Sequence, residues 1–487
     1  MKDLSSYTEH FINGQWILGS SQHELVDINP YDNHKLTVIQ AASKQDVDSA
    51  YTTALESFNT WKDTSAIERS NTIKKIYQVI ESHREDLIEI LIAESGSTRL
   101  KANAEIDAAL AITKESIEYP FKVGIHKLKT QVVGQESLYY KKPLGVIGVI
   151  SPWNFPFHLS IRSIIPAIAL GNTVVLKPAS DTPISGGLVF GKIAELAEIP
   201  NGVLNVVAGL GSEIGDYFVE HDVPKFISFT GSTKVGKRVG SIVLNSNRIK
   251  RLALELGGNA PLIVLDDADL DKAVDIALFG RFLHQGQICM STNRVIVDES
   301  VHDEFVERLL KKVTQIKYGN PSDITNLVGP IINKSQIASI VKIIDAGKNE
   351  GATLVYGENI IDNIIPPHIF INVLPNTTLS SEEIFGPVMP IMKAKNDLHA
   401  VQLANDTEYG LSSSICSENF NRAINLALKL EVGMTHINDI SIEDSPFAPF
   451  GGEKNSGLGR FNGQWIIDEF TTTQWVTKQL TAKTYPL

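Results

Sequence analysis

The chain reads as an α/β protein built on two successive sheets, and three observations predict this. From Val146, short and almost wholly apolar runs alternate with helical patterns, and runs apolar on both faces belong to parallel strands covered on both sides. A second alternating series begins near Ile263. Ahead of both, the first third carries apolar residues at helical spacing.

The first predicted helix places Ala50, Ala54, Leu55 and Phe58 after Val47. Ser65-Ala-Ile-Glu68 has the pattern in which a hydroxyl and a carboxylate each satisfy the other's free backbone N–H. It opens a helix with Ile73, Ile76, Tyr77 and Ile80 on one face, and Gly96 stops the helix after that. Strands are predicted at Val146–Ile150, Thr173–Lys177, Val203–Val207, Lys225–Phe229 and Arg251–Glu255, with a helix over Ser185–Glu198. The second series runs through Arg294–Val297, Pro390–Ala394 and Ser412–Ile415. The tail Thr473-Gln-Trp475-Val-Thr477 alternates as an edge strand does, suited to pairing with another subunit. With no internal repeat or long linker, the two sheets should pack closely.

Composition narrows the function. Of 487 residues, 43% are hydrophobic and 21% charged, which excludes a disordered, collagen-like or disulfide-scaffold protein. The balance of 44 Lys+Arg against 56 Asp+Glu, a net −12 without a basic block, excludes a nucleic-acid partner. Two cysteines, Cys289 and Cys416, fit a reducing compartment. The opening MKDLSSYTEHF has no apolar core behind a basic segment, and Leu144–Ile150, the nearest thing to a membrane span, already holds two glycines. The expectation is a cytoplasmic protein with no membrane partner.

Parallel sheets bind ligands beyond the carboxyl ends of their strands, so the loops there carry the chemistry. Gly231-Ser-Thr-Lys-Val-Gly236-Lys237 matches a nucleoside-triphosphate loop until Arg238, where Ser or Thr is needed for magnesium. Gly209-Leu-Gly211 starts like a dinucleotide fingerprint, but its third glycine falls at 215 rather than 214. Twelve histidines without an H-E-x-x-H pattern, and only two cysteines, predict no metal site.

Three segments stand out. Phe282-Leu-His-Gln-Gly286-Gln287-Ile-Cys289 puts a thiol after a turn-permitting glycine, although a lone cysteine is more often a buried spectator. Glu255-Leu-Gly257-Gly258 ends a strand with a carboxylate, either a base or a cap for the turn. Pro152-Trp153-Asn154-Phe155-Pro156 holds an amide between two prolines, a fixed donor for an oxyanion or a structural turn.

Together these segments resemble the aldehyde dehydrogenase superfamily. The likeness continues through Lys177-Pro-Ala-Ser180, Phe229-Thr-Gly231-Ser232, Glu382-Glu383-Ile-Phe385-Gly386-Pro387 and Pro449-Phe450-Gly451-Gly452, in family order over nearly the whole chain. The resemblance implies a Rossmann-like cofactor domain (1–121 and 142–256), a second α/β catalytic domain (257–436) and a small β oligomerisation ribbon (122–141 with 466–487). The segment 437–465 would return to the cofactor domain as a substrate-tunnel loop. A homodimer or homotetramer is expected.

By the same resemblance, Cys289 is the nucleophile that attacks an aldehyde to give a thiohemiacetal. Asn154 and the Cys289 backbone N–H hold the oxyanion, hydride passes to a nicotinamide, and Glu255 activates the water that hydrolyses the thioester. NAD or NADP would bind through Ile150, Pro152, Trp153, Lys177, Ser180, Gly211, Phe229, Gly231, Ser232, Leu256, Glu383 and Phe385. Lys177 takes the adenosine ribose, Glu383 the nicotinamide ribose, and Gly231/Ser232 lie near the pyrophosphate at a helix start.

Two departures from the family pattern carry weight. Phe461 stands where many members have a second glutamate, used as a proton relay after Arg460. Ser180 stands where many strictly NAD-dependent members have Glu, which predicts use of NADP alongside NAD. The segments around Gly433–Asp439 and Pro449–Gly463 look most like the benzaldehyde, vanillin and salicylaldehyde dehydrogenase branch. Phe155, Leu159, Arg162, Leu283, Ile288 and Phe450 would then surround an aromatic aldehyde, with a broad-range or semialdehyde substrate as the alternative. Arg162 would meet a ring substituent or form an outward salt bridge.

Overall fold

A computed structural model describes residues 1–486; Leu487, the end of the expected oligomerisation tail, lies outside them. Helices α1 (Lys44–Trp61), α2 (Ala66–Ser82), α3 (Arg84–Ser95) and α4 (Arg99–Ser116) form the first third. Ser65 and Glu68 cap α2 reciprocally. Gly96 ends α3 in the left-handed region at φ 64°, a conformation glycine adopts without the Cβ clash other residues meet.

Five parallel strands follow: β1 (Val146–Ile150), β2 (Thr173–Lys177), β3 (Leu204–Val206), β4 (Phe226–Thr230) and β5 (Arg251–Glu255). They lie side by side in the order β3-β2-β1-β4-β5. The sheet is extended by short antiparallel strands, His10–Ile12 beside β3 and Gly457–Leu458 beside β5. The segment His10–Ile12 is only three residues long, too short to show a period in the sequence.

A fully buried helix, α5 (Pro156–Ala169), connects β1 to β2. Its apolar residues occur all round, as a core helix requires. The expected helix over Ser185–Glu198 is shorter, α6 (Val189–Leu196), and enters through an irregular turn at Ile184–Leu188. The turn tracks close packing: a Cβ on Gly187 would lie 2.4 Å from the Pro178 ring. Beyond β4 runs α7 (Thr233–Asn245), capped by the Ser232 side chain.

The second sheet contains β6 (Ala260–Val264), β7 (Thr292–Asp298), β8 (Val388–Ala394) and β9 (Ser412–Cys416), parallel and ordered β8-β7-β6-β9. Between β6 and β7, α8 (Leu270–Phe282) crosses over. The strands Gly124–Leu128, Gln135–Pro143 and Thr471–Gln479 make a separate antiparallel ribbon, with the tail strand at one edge. The tail therefore pairs with the ribbon of its own chain, and Trp475 on it is exposed. Among the described residues, no helix is long and apolar enough to cross a membrane.

Candidate active site

The loops leaving β1, β4 and β5 converge with the turn ahead of β7. After β1, Pro156 starts α5 as its first residue, a position that needs no N–H. No side chain of the helix itself caps this end. Glu105 of α4 does so instead, its Oε1 accepting from the backbone N–H groups of Phe157 (2.9 Å) and His158 (3.1 Å). The other Glu105 oxygen pairs at 2.5 Å with Lys101, whose ammonium also donates to the Asn154 carbonyl at 2.7 Å. A wholly buried ion pair thus fixes the turn that carries Asn154.

The approach to Cys289 is a tight turn in which His284, Gln285 and Gly286 all have positive φ (51°, 57° and 73°). Two non-glycine residues held left-handed mark strain retained by the surrounding structure. Gly258, three residues beyond the end of β5, permits the approach: a Cβ there would lie 2.1 Å from the Cys289 carbonyl oxygen.

At the junction, the Cys289 thiol donates to Glu255 Oε1 at 3.2 Å. Asn154 Nδ2 donates to the Gln287 carbonyl at 2.9 Å, so one of its two hydrogens is engaged and the other remains for a ligand. Burial, then the carboxylate of Glu255, pushes the Cys289 thiol well above its ordinary range, while Arg162 pulls the other way. Glu383 is pushed up to about 7 by burial, although its carboxylate accepts from the Gly258 N–H at 2.8 Å.

Two cavities meet at Asn154, Leu159 and Cys289. One, about 270 Å³, lies at the carboxyl ends of β4 and β5 and is lined by Pro152, Trp153, Gly231, Ser232, Leu256, Glu383 and Phe385 among others. The Trp153 and Phe385 rings meet edge to face at 5.4 Å. The other, about 310 Å³, is a largely apolar tunnel lined by Phe155, Leu159, Arg162, Leu283, Ile288 and Phe450, together with Phe279, Met290, Ile440 and Ile442.

The sequence profile of the aldehyde dehydrogenase family matches residues 16–476. The chain belongs to that family. It is an oxidoreductase acting on an aldehyde group. Among its relatives, a vanillin dehydrogenase of Corynebacterium glutamicum is 50% identical over 96% of this chain and 97% of its own length. A benzaldehyde dehydrogenase of Bacillus subtilis is 44% identical over the full length of both. The crystal structure of an NAD-dependent benzaldehyde dehydrogenase from Corynebacterium glutamicum superposes with a TM-score of 0.90 at 48% identity, covering 98% of this chain and 97% of that one.

Against this aldehyde dehydrogenase frame, the remaining sequence-derived positions fall outside the cleft wall. Ile150 ends β1, and the Phe229 ring lies in the core under Gly231, where a Cβ would come within 2.7 Å of it. Lys177 ends β2 with its ammonium on the Pro178 carbonyl (3.0 Å), pushed down to about 8 by burial. Ser180 faces the Gly209 carbonyl, and Gly211 begins the turn after β3.

Arg162 corrects one sequence-derived alternative. Its salt bridges run inward, not outward: it is fully buried and pairs with Glu255 (3.0 Å) and Asp444 (3.1 Å). Its guanidinium also lies over the rings of Phe450 and Phe461, at 4.2 and 4.5 Å. Among the contributors that escaped the sequence reading are His158, Asp444, Lys101 and Glu105. His158 could have been found, since it sits one helical turn before Arg162 on the same face. Asp444 lies in an irregular loop with no periodic signal.

Proposed function

We propose that the protein oxidises aromatic aldehydes of the benzaldehyde and vanillin type to carboxylic acids, with NAD or NADP as hydride acceptor. The observation that carries this is the tunnel, whose apolar and aromatic walls lead to the Cys289 thiol. A flat ring there gains area burial and stacking that a two-carbon aldehyde cannot. The names of the vanillin and benzaldehyde dehydrogenases that resemble it favour the same substrate class.

The cleft suits a dinucleotide. Gly231 leaves the mouth free of a side chain, and Ser232 opens a 13-residue helix whose free N–H groups favour an anion. Pro152, Trp153, Gly231, Ser232, Leu256, Glu383 and Phe385 would hold the cofactor, with Ile150, Lys177, Ser180, Gly211 and Phe229 around the ends of β1 to β4. When bound, NAD or NADP supplies the acceptor for the hydride. Lys177 has no carboxylate beside it at Ser180, so a ribose 2′-phosphate meets no repulsion there, and both nucleotides are accepted.

In this reading, the Cys289 sulfur attacks the aldehyde carbon and its proton goes to Glu255. The oxyanion takes hydrogen bonds from the free Asn154 amide hydrogen and the Cys289 N–H. Loss of hydride leaves a thioester on Cys289. Glu255, having passed the first proton on to solvent, takes a proton from the attacking water and returns it to the departing Cys289 sulfur, and the acid is released. The β1–β5 sheet would be the cofactor domain (1–121 and 142–256) and 257–436 the catalytic domain, with 437–465 closing the tunnel. The ribbon 122–141 and the tail from 466, whose outer edge is open to a second copy, would make a homodimer or homotetramer. Two unpaired cysteines fit the cytoplasm.

A panel of aldehydes with both nucleotides tests the proposal. Benzaldehyde should exceed acetaldehyde by at least about tenfold in kcat/KM, about 1.4 kcal/mol. Equal or better values with acetaldehyde or succinic semialdehyde overturn the aromatic assignment.

A further inference from the structure

Four ionisable side chains run in a buried row from the tunnel wall to the thiol. His158 Nε2–H donates to Asp444 Oδ2 at 2.8 Å, and the same oxygen accepts from Arg162 Nη1 at 3.1 Å. Arg162 Nη2 donates to Glu255 Oε2 at 3.0 Å, and Glu255 Oε1 accepts from the Cys289 thiol. Asn462 holds the remaining Asp444 oxygen at 2.6 Å. One cation therefore serves two carboxylates, and its guanidinium also lies over the rings of Phe450 and Phe461.

We infer that Arg162 is a positioning residue whose charge, divided between Glu255 and Asp444, sets how readily the Glu255–Cys289 pair gives up a proton. This rests on the reading of Cys289 as nucleophile and Glu255 as its base. The thiol and the Glu255 carboxylate lie in direct contact. Arg162 stabilises the pair's negative charge whichever atom carries it, and Asp444, anchored by His158, draws part of that cation away. Phe461, in place of a second carboxylate, keeps a third anion from the row. The other charged groups facing the pair are Glu383, which opposes a thiolate, and Arg281 of α8 behind it, which attracts Glu383. Lys101 and Glu105, beyond Asn154, neutralise each other.

Removing the charge of Arg162 and removing that of Asp444 predict opposite signs. The test is the rate of Cys289 alkylation by iodoacetamide between pH 6 and 9 in nucleotide-free protein, read by mass spectrometry at the Cys289 peptide. Arg162→Gln should lower the rate at neutral pH by about tenfold, the effect of losing one opposite charge at contact distance. Asp444→Asn should raise it, and Arg162→Lys, which keeps the charge, should lie nearer wild type than Arg162→Gln. Asp444→Asn and Arg162→Gln moving the rate in the same direction, or neither moving it, overturns the inference. If circular dichroism shows Arg162→Gln unfolded, Asp444→Asn decides alone: an unchanged or slower rate overturns it. Alkylation needs neither aldehyde nor nucleotide, so a failed catalytic reading would show separately, as turnover surviving in Cys289→Ala.

Discussion

The Cys289 thiol points its proton at Glu255 Oε1 from 3.2 Å. The contact joins the last residue of β5 to the turn ahead of β7, so the carboxylate and the thiol are brought together from the two halves of the fold. Gly258 lets the two backbones approach this closely, because a side chain there would strike the Cys289 carbonyl. Burial and the adjacent carboxylate push the thiol above its ordinary range in the free protein.

Cys289→Ala should abolish dehydrogenase turnover while leaving fold and nucleotide binding near normal. Alanine has nothing to attack the aldehyde carbon. Residual turnover above about a thousandth of wild type, measured by nicotinamide absorbance, would show that another group is the nucleophile.

Glu255→Gln should slow thioester hydrolysis more than hydride loss, because glutamine keeps the shape but cannot accept the water's proton. Rapid mixing should then show a burst of NAD(P)H that is absent or smaller in wild type. An unchanged steady-state rate would mean that a different group activates the water.

Ser180→Glu should shift preference toward NAD. A carboxylate beside the Lys177 ammonium accepts from a ribose hydroxyl and repels a 2′-phosphate. In the unaltered protein, kcat/KM for NADP should stay within about a thousandfold of that for NAD, roughly 4 kcal/mol. A wider gap refutes dual use.

Glu383 makes stability depend on pH. Its folded-state value is raised to about 7, so between the ordinary glutamate range and about pH 7 the native state holds a proton that the unfolded chain has lost. Stability is full below that range and falls as pH rises through about 7, by at most about 3 kcal/mol. Glu383→Gln stays neutral throughout. Its melting temperature should therefore drop less than wild type between pH 5 and 8, and its nucleotide affinity should weaken. Parallel melting curves for the two proteins across that range would refute the assignment.

What the sequence determined by itself is local. The runs Val146–Ile150, Thr173–Lys177 and Arg251–Glu255 coincide with β1, β2 and β5; β1 and β2 are buried almost throughout, as strands covered on both faces are. Ser65 with Glu68, and Gly96, work within one turn of backbone, so their role is visible in a few letters. Cys289, Glu255 and Asn154 were legible through the short segments that carry them.

Only the tertiary structure decided what surrounds them. His158 meets Asp444 across 286 positions of chain, and Glu105 caps α5 from a helix 52 positions away. Neither partnership leaves a period or a motif, since each depends on how whole helices and loops pack. The direction of Arg162 belongs to the same class. Its helix is apolar on every side, so the sequence could not say whether the guanidinium faced solvent or the thiol. Burying that cation is favourable only where two carboxylates and two aromatic faces receive it together, and the packed fold alone assembles all four around it.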